Sequence, residues 1–221
     1  MKALKLILSI IGILAIILIV GVKIFSYYQH KKEEEAMKKI FQYEKIMYAV
    51  KFKKALKAIN EGNYTKAKIL FNDICKNLTF SNNPAACYNL GIMYHKGLGV
   101  DKNYSMAKQY FKKAAENGDI DSYSQLAIIE NEEGNAKEAL KYAKKGCDLD
   151  SAISCFYAGA IYYDGDYIEK NLTLAKNFWK KALKLLPTAS IPKTQKDKEE
   201  FKQLICNAMP NICESNLTKG N

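Results

Sequence analysis

Apolar positions run without a charge through residues 6–22, then thin out into a periodic pattern that continues to residue 187. In helical form the first run covers about 25 Å at 1.5 Å per residue. That nears the ~30 Å hydrocarbon core of a bilayer, and Lys23 can snorkel so that Ile24 and Phe25 extend it. Lys2 and Lys5 precede the run, and Tyr27 and Tyr28 follow it at positions suited to the membrane–water interface. Residues 1–25 are therefore expected to form an uncleaved single-pass anchor that leaves the bulk of the chain outside the cytoplasm. The competing reading is a signal peptide whose cleavage releases a secreted protein, although no Ala-x-Ala-like site follows the run. Residues 26–46, with the charged stretch from His30 to Glu35, read as a helical stalk.

From residue 47 the chain repeats itself. Residues 86–119 align with 154–187: Gly91 with Gly159, Tyr94 with Tyr162, Ala107 with Ala175, and Tyr110-Phe111 with Phe178-Trp179. Two shorter copies place Ala55 and Ala67, and Ala127 and Ala139, at the small-residue sites. Four extra residues between the two small sites separate the long copies from the short, and the copies alternate short and long. The expected fold is all-α: an α-solenoid of about four helix–turn–helix units at 47–187. In each, a small residue of the first helix lets the second approach, with its Ala opposite. Trp179 lies on the core stripe. In residues 188–221 a connector precedes an amphipathic capping helix from Thr194 to about Met209. Thr194 and Asp197 form its capping box, Phe201, Leu204 and Ile205 close the stack, and a tail follows.

Charge and cysteine content narrow the picture. The formal charge is +11, every basic residue is lysine, and bidentate guanidinium recognition of phosphate or bases is therefore excluded. Nucleic acid is not an expected partner. Cys75 and Cys87, Cys147 and Cys155, and Cys206 and Cys213 lie at three short separations that suit local staples between helices, although six cysteines allow 15 pairings. Oxidised, they place the domain outside the cytoplasm. No pair has the spacing of a zinc hairpin, His30 and His95 are the only histidines, and Cys-x-x-Cys is absent; no metal or cofactor is expected.

Residues 90–118 follow the pattern LGxMYxxGxGVxxxxxxAxxYFxKAAExG almost intact. On that motif the chain resembles Sel1-like repeats, a subclass of the tetratricopeptide-type hairpin, and its cysteines make it similar to the cysteine-rich Sel1 proteins of Helicobacter. The resemblance implies a bacterial inner-membrane protein with its bulk in the periplasm. It also implies disulfides from the second helix of one unit to the first helix of the next. Cys147 and Cys155 match that spacing, Cys75 and Cys87 occupy the same sites with four residues inserted, and the intervening junction has Ala115 and Tyr123 instead.

The implied function is a scaffold for protein or peptide ligands. Its concave face would be lined by the first helices, through Phe52, Tyr88, Asn89, His95, Asn131, Phe156 and Tyr163. A secreted host-interaction factor is a further reading. The family also carries a penicillin-binding or β-lactamase label. Ser105-Met-Ala-Lys108 and Ser190-Ile-Pro-Lys193 fit Ser-x-x-Lys, but the companion motifs are missing, so no catalytic residue is expected. Asn63, Asn103, Asn171 and Asn216 each have an acidic residue two before and Ser or Thr two after. This resembles the acceptor for bacterial periplasmic N-glycosylation.

Overall fold

The computed structural model describes residues 2–77, 83–166, 168–189 and 194–214, with side chains from residue 18 onward. The chain divides into two compact units, Met1–Ala49 and Val50–Asn221. One helix, α1 (Lys2–Asn60), runs through the division, without a break at the anchor and stalk boundaries. No proline interrupts it, and Ala, Leu, Lys, Glu and Met recur along it. In the first unit, Leu18, Val22 and Phe25 are exposed at 71%, 61% and 65%. Among the described residues no helix is long and apolar enough to cross a membrane. The expected anchor falls, up to Ile17, on residues whose side chains are not described.

In the second unit, helical hairpins follow one another. They comprise α2 (Tyr64–Lys76) after the end of α1, α3 (Ala85–Lys96) with α4 (Tyr104–Glu116), α5 (Ser122–Glu132) with α6 (Ala136–Asp148), and α7 (Ala152–Asp164) with α8 (Leu172–Leu185). From α2 to α8 each helix packs on the next, and α5 also packs on α7. The second helix of every unit opens on an asparagine: Asn63, Asn103, Asn135 and Asn171. Three accept a hydrogen bond from a backbone N–H three residues on: Asn63 from Lys66 (3.1 Å), Asn103 from Met106 (2.9 Å) and Asn171 from Leu174 (2.9 Å). A side-chain oxygen there satisfies a donor that the helix cannot. Gly97 and Gly165 end α3 and α7 in the left-handed region, at φ 70° and 73°.

The small residues of the first helices make room for aromatic rings. A Cβ on Gly91 would stand 2.6 Å from Phe111, and one on Gly159 2.4 Å from Trp179. Ala107 and Ala175 are fully buried as expected, but the ring four residues later fills the space beside the glycine. Trp179 donates its indole N–H to the Phe156 carbonyl at 3.0 Å. Stacked pairs, Tyr94–Tyr110 at 5.5 Å and Tyr162–Phe178 at 5.9 Å, recur in register.

Three disulfides join Cys75–Cys87, Cys147–Cys155 and Cys206–Cys213, with Cα separations of 5.0, 4.5 and 5.7 Å. The first two link consecutive units. The third ties α9 (Gln195–Ala208) to α10 (Pro210–Glu214). The Thr194–Asp197 capping box forms at the start of α9. Phe201 meets Phe156 with ring centroids 4.7 Å apart, and Ile205 is fully buried. Leu204 instead is 58% exposed. It lies on the flank of a stripe carried by Phe201, Ile205 and Ala208, and α10 contributes the buried Ile212 to the same cluster.

Candidate functional site: a groove between α5 and α7

The first helices of units three and four, α5 and α7, border a cavity of about 280 Å³. Ala127 and Ala160 offer small side chains along it, Tyr157 and Ile161 add an aromatic and an aliphatic surface, and Asn131 contributes an amide. Its carboxylates are Glu132 at the end of α5, Asp164 at the end of α7, and Asp166 just beyond. Glu132 and Asp164 hold the same register position in successive units.

Glu132 is held from the neighbouring unit. It accepts from the Tyr104 hydroxyl at 2.5 Å and meets His95 Nε2 at 3.1 Å. Burial works to raise its pKa, and the bonds from Tyr104 and His95 outweigh that, so the carboxyl lies below its ordinary value. His95 Nδ1 is enclosed and has no hydrogen-bond partner among the described residues, so the polar link runs through Nε2. Burial, reinforced by the Glu132 charge, pushes the Tyr157 hydroxyl above its ordinary value. Asp164 and Asp166 form no ion pair among the described residues.

The residues assigned to a concave face from sequence divide into two groups. Asn131 lines the groove, and His95 holds Glu132. The others, apart from Asn89, which bonds within its own helix, join helix to helix. Phe52 packs on Phe71 (5.6 Å) and Tyr88 on Phe111 (5.5 Å). Burial, with the charges of Asp119 and Asp121, drives the Tyr88 hydroxyl far above its usual value. Asn89 donates to the Ala85 carbonyl at 2.7 Å. Phe156 lies against Phe201 and Trp179, and Tyr163 lies 5.1 Å from Trp179 with Lys170 Nζ 5.0 Å from its own ring centroid. Tyr157, Glu132, Asp164 and Asp166 went unremarked in the sequence. Glu132 and Asp164 had a signal, the repeated acidic residue at the end of two successive first helices.

Lys108 of Ser105-x-x-Lys108 is engaged by Glu130 at 3.1 Å and Glu133 at 2.6 Å, while Ser105 is exposed at the start of α4. That lysine is committed to carboxylates of the next unit. Ser190, Lys193 and Asn216 lie outside the described residues. Asn63, Asn103 and Asn171 are exposed helix caps.

Hairpins stacked in this way define an α-solenoid repeat array. Residues 84–119, 129–151 and 152–185 match the family model of the Sel1 repeat. The array they form belongs to the Sel1 repeat family; the α1–α2 hairpin lies before the matched region. Cytochrome c oxidase assembly factor 7 of Xenopus tropicalis is 32% identical over 111 residues, 45% of this chain and 48% of that protein. The chain thus spans about half the length of this curated relative. Among solved structures, a Sel1 repeat protein from Oxalobacter formigenes is 24% identical, with TM-score 0.48, covering 66% of this chain and 63% of that one. The c5321 protective antigen of uropathogenic Escherichia coli strains, with an SLR fold, is 18% identical, with TM-score 0.48, covering 73% and 42%.

Proposed function

We propose that this protein is a membrane-anchored periplasmic scaffold that holds a protein or peptide partner along the surface of α3, α5 and α7. The observation that carries this reading is the groove between α5 and α7, where small, aromatic, amide and carboxylate side chains from two repeats line one concavity. Stacked helical repeats present extended binding surfaces, and aromatic side chains in such a surface suit polypeptide ligands. Three disulfides and the absence of a free cysteine among the described residues support an oxidising compartment. The apolar run at 6–22, continued by exposed Ile24 and Phe25, supports an anchor.

Site-specific photocrosslinking in the native membrane tests the reading. A benzophenone side chain at Ile128 or Ala160 is expected to give a discrete adduct with a second polypeptide. The same group at Lys112, on the exposed side of α4, is expected to give none. Equal labelling from both faces, or no adduct from the groove, refutes it.

A further inference from the structure

We propose that the groove between α5 and α7 receives a basic side chain, lysine or arginine, presented by an extended segment of the partner. This rests on the scaffold reading above and specifies the chemistry of what is bound. Lysine is concentrated on the second helices around this groove. The second helices α4, α6 and α8 carry three, four and four lysines, whereas α5 and α7 carry none. A protein of net charge +11 thus keeps its cations off the two first helices of this groove, and α6 contributes only Ala136 to the lining.

The helix ends supply an independent observation. A helix C-terminus carries a partial negative charge that a basic residue in the last turn normally offsets. Among the helices of the repeats, α2, α3, α4, α6 and α8 all have one, but α5 and α7, like α9 and α10 of the cap, do not. Both instead end in an acid, Glu132 and Asp164, and Asp166 follows the second. Two negative helix ends and three carboxylates therefore border one cavity, while the neighbouring cations Lys102 and Lys170 sit over the Tyr104 and Tyr163 rings, at 4.5 and 5.0 Å, outside the lining. Glu132 is already held by Tyr104 and His95, so an incoming cation finds Asp164 and Asp166 as the carboxylates without an ion pair among the described residues.

Shape selects the kind of cation. No group of three His, Cys, Asp or Glu side chains among the described residues is close enough to hold a metal ion. A long side chain places its aliphatic stem along Ala127, Ala160 and Ile161, its charge reaching the carboxylates, with Tyr157 available for a cation–π contact.

The test uses the full chain in a neutral detergent and fluorescence anisotropy with short acetylated peptides that alternate alanine with lysine, norleucine or glutamate. The lysine probe is expected to bind and the other two to show no saturable binding. Asp164→Asn with Asp166→Asn is expected to weaken the lysine probe roughly tenfold, and added salt to weaken it further. Lys141→Gln on α6 should leave it unchanged. Asp164→Asn alone should raise the unfolding midpoint by about 1–2 °C, since it removes a like-charge clash at a helix end. Equal binding of lysine and norleucine probes, or an affinity unmoved by the double substitution, overturns the proposal. If norleucine binds and Ala160→Trp abolishes that binding, the basic-ligand inference fails while the scaffold survives. If no probe binds but the groove crosslinks to a partner, the same inference alone fails. If neither happens, both fail.

Discussion

The junction from α6 to α7 is stapled by sulfur, and the junction from α4 to α5 is not, yet they are the same turn. Ser151 N–H bonds to the Gly146 carbonyl at 3.0 Å, and Asp119 N–H to the Ala114 carbonyl at 3.0 Å. Ser154 N–H finds the Ser151 hydroxyl at 3.3 Å, and Ser122 N–H finds the Asp119 carboxylate at 3.0 Å. Asp150 and Gly118 take the same place with positive φ, 64° and 96°. Where one junction has Cys147 and Cys155, the other has Ala115 and Tyr123, whose ring is 8% exposed in a core with Phe111, Leu126 and Ile129. The backbone hydrogen bonds define the register, and sulfur and an aromatic ring are two ways of securing it.

Truncating the ring should be the most damaging change. Tyr123→Ala is expected to cost about 3–4 kcal/mol in urea unfolding, as for other large aromatic truncations in a core; a loss under ~1 kcal/mol would deny the ring its role. Replacing Cys147 and Cys155 together by alanine should cost roughly 2.5 kcal/mol on the chain-entropy account of an eight-residue loop. Hydrogen exchange at Ser151 and Ser154 should remain protected in that variant; loss of protection there would mean that the bond, not the turn, sets the register.

Smaller effects probe the turn itself. Asn103→Ala and Asn171→Ala should each cost about 1 kcal/mol through the lost cap, measured by thermal unfolding. Asp150→Gly should gain ~0.5 kcal/mol by the same measurement. It relieves a left-handed non-glycine residue and gives up an exposed ion pair to Lys181 at 3.0 Å.

The two junctions also touch, through the Ser151 hydroxyl donating to Asp121 at 2.8 Å. Burial, offset in part by that bond, raises the Asp121 pKa. A raised carboxyl binds its proton more tightly in the folded state, so stability falls as pH rises from the ordinary carboxylate range through the folded value. Asp121→Asn should remove this slope: the variant gains on the natural protein towards neutrality, and the difference closes in acid. An unchanged pH profile of the urea midpoint would show that the carboxyl is not under burial strain.

Local features were readable from the chain because their chemistry is local. The spacing of Gly91, Ala107, Gly159 and Ala175 marks the hairpins, Thr194 and Asp197 make their capping box, and cysteine register against the repeats matches the observed bonds. Asn63, Asn103 and Asn171 read as modification sites in sequence, and the same short motif opens a helix in the structure. Ring destinations were less legible. Phe156 and Tyr163 share the period of a ligand-facing row, but the approach of α8 and α9 turns them towards Trp179 and Phe201.

By itself, then, the sequence determined the helical hairpins, their register and the cysteine pairs, because each depends on residues a few positions apart and on periods intrinsic to a helix. Only the tertiary structure decided that Phe111 and Trp179 fill the glycine gaps and that Glu132, Asp164 and Asp166 border one cavity. Those outcomes depend on how closely helices from different units approach, which is set by the summed packing of the stack.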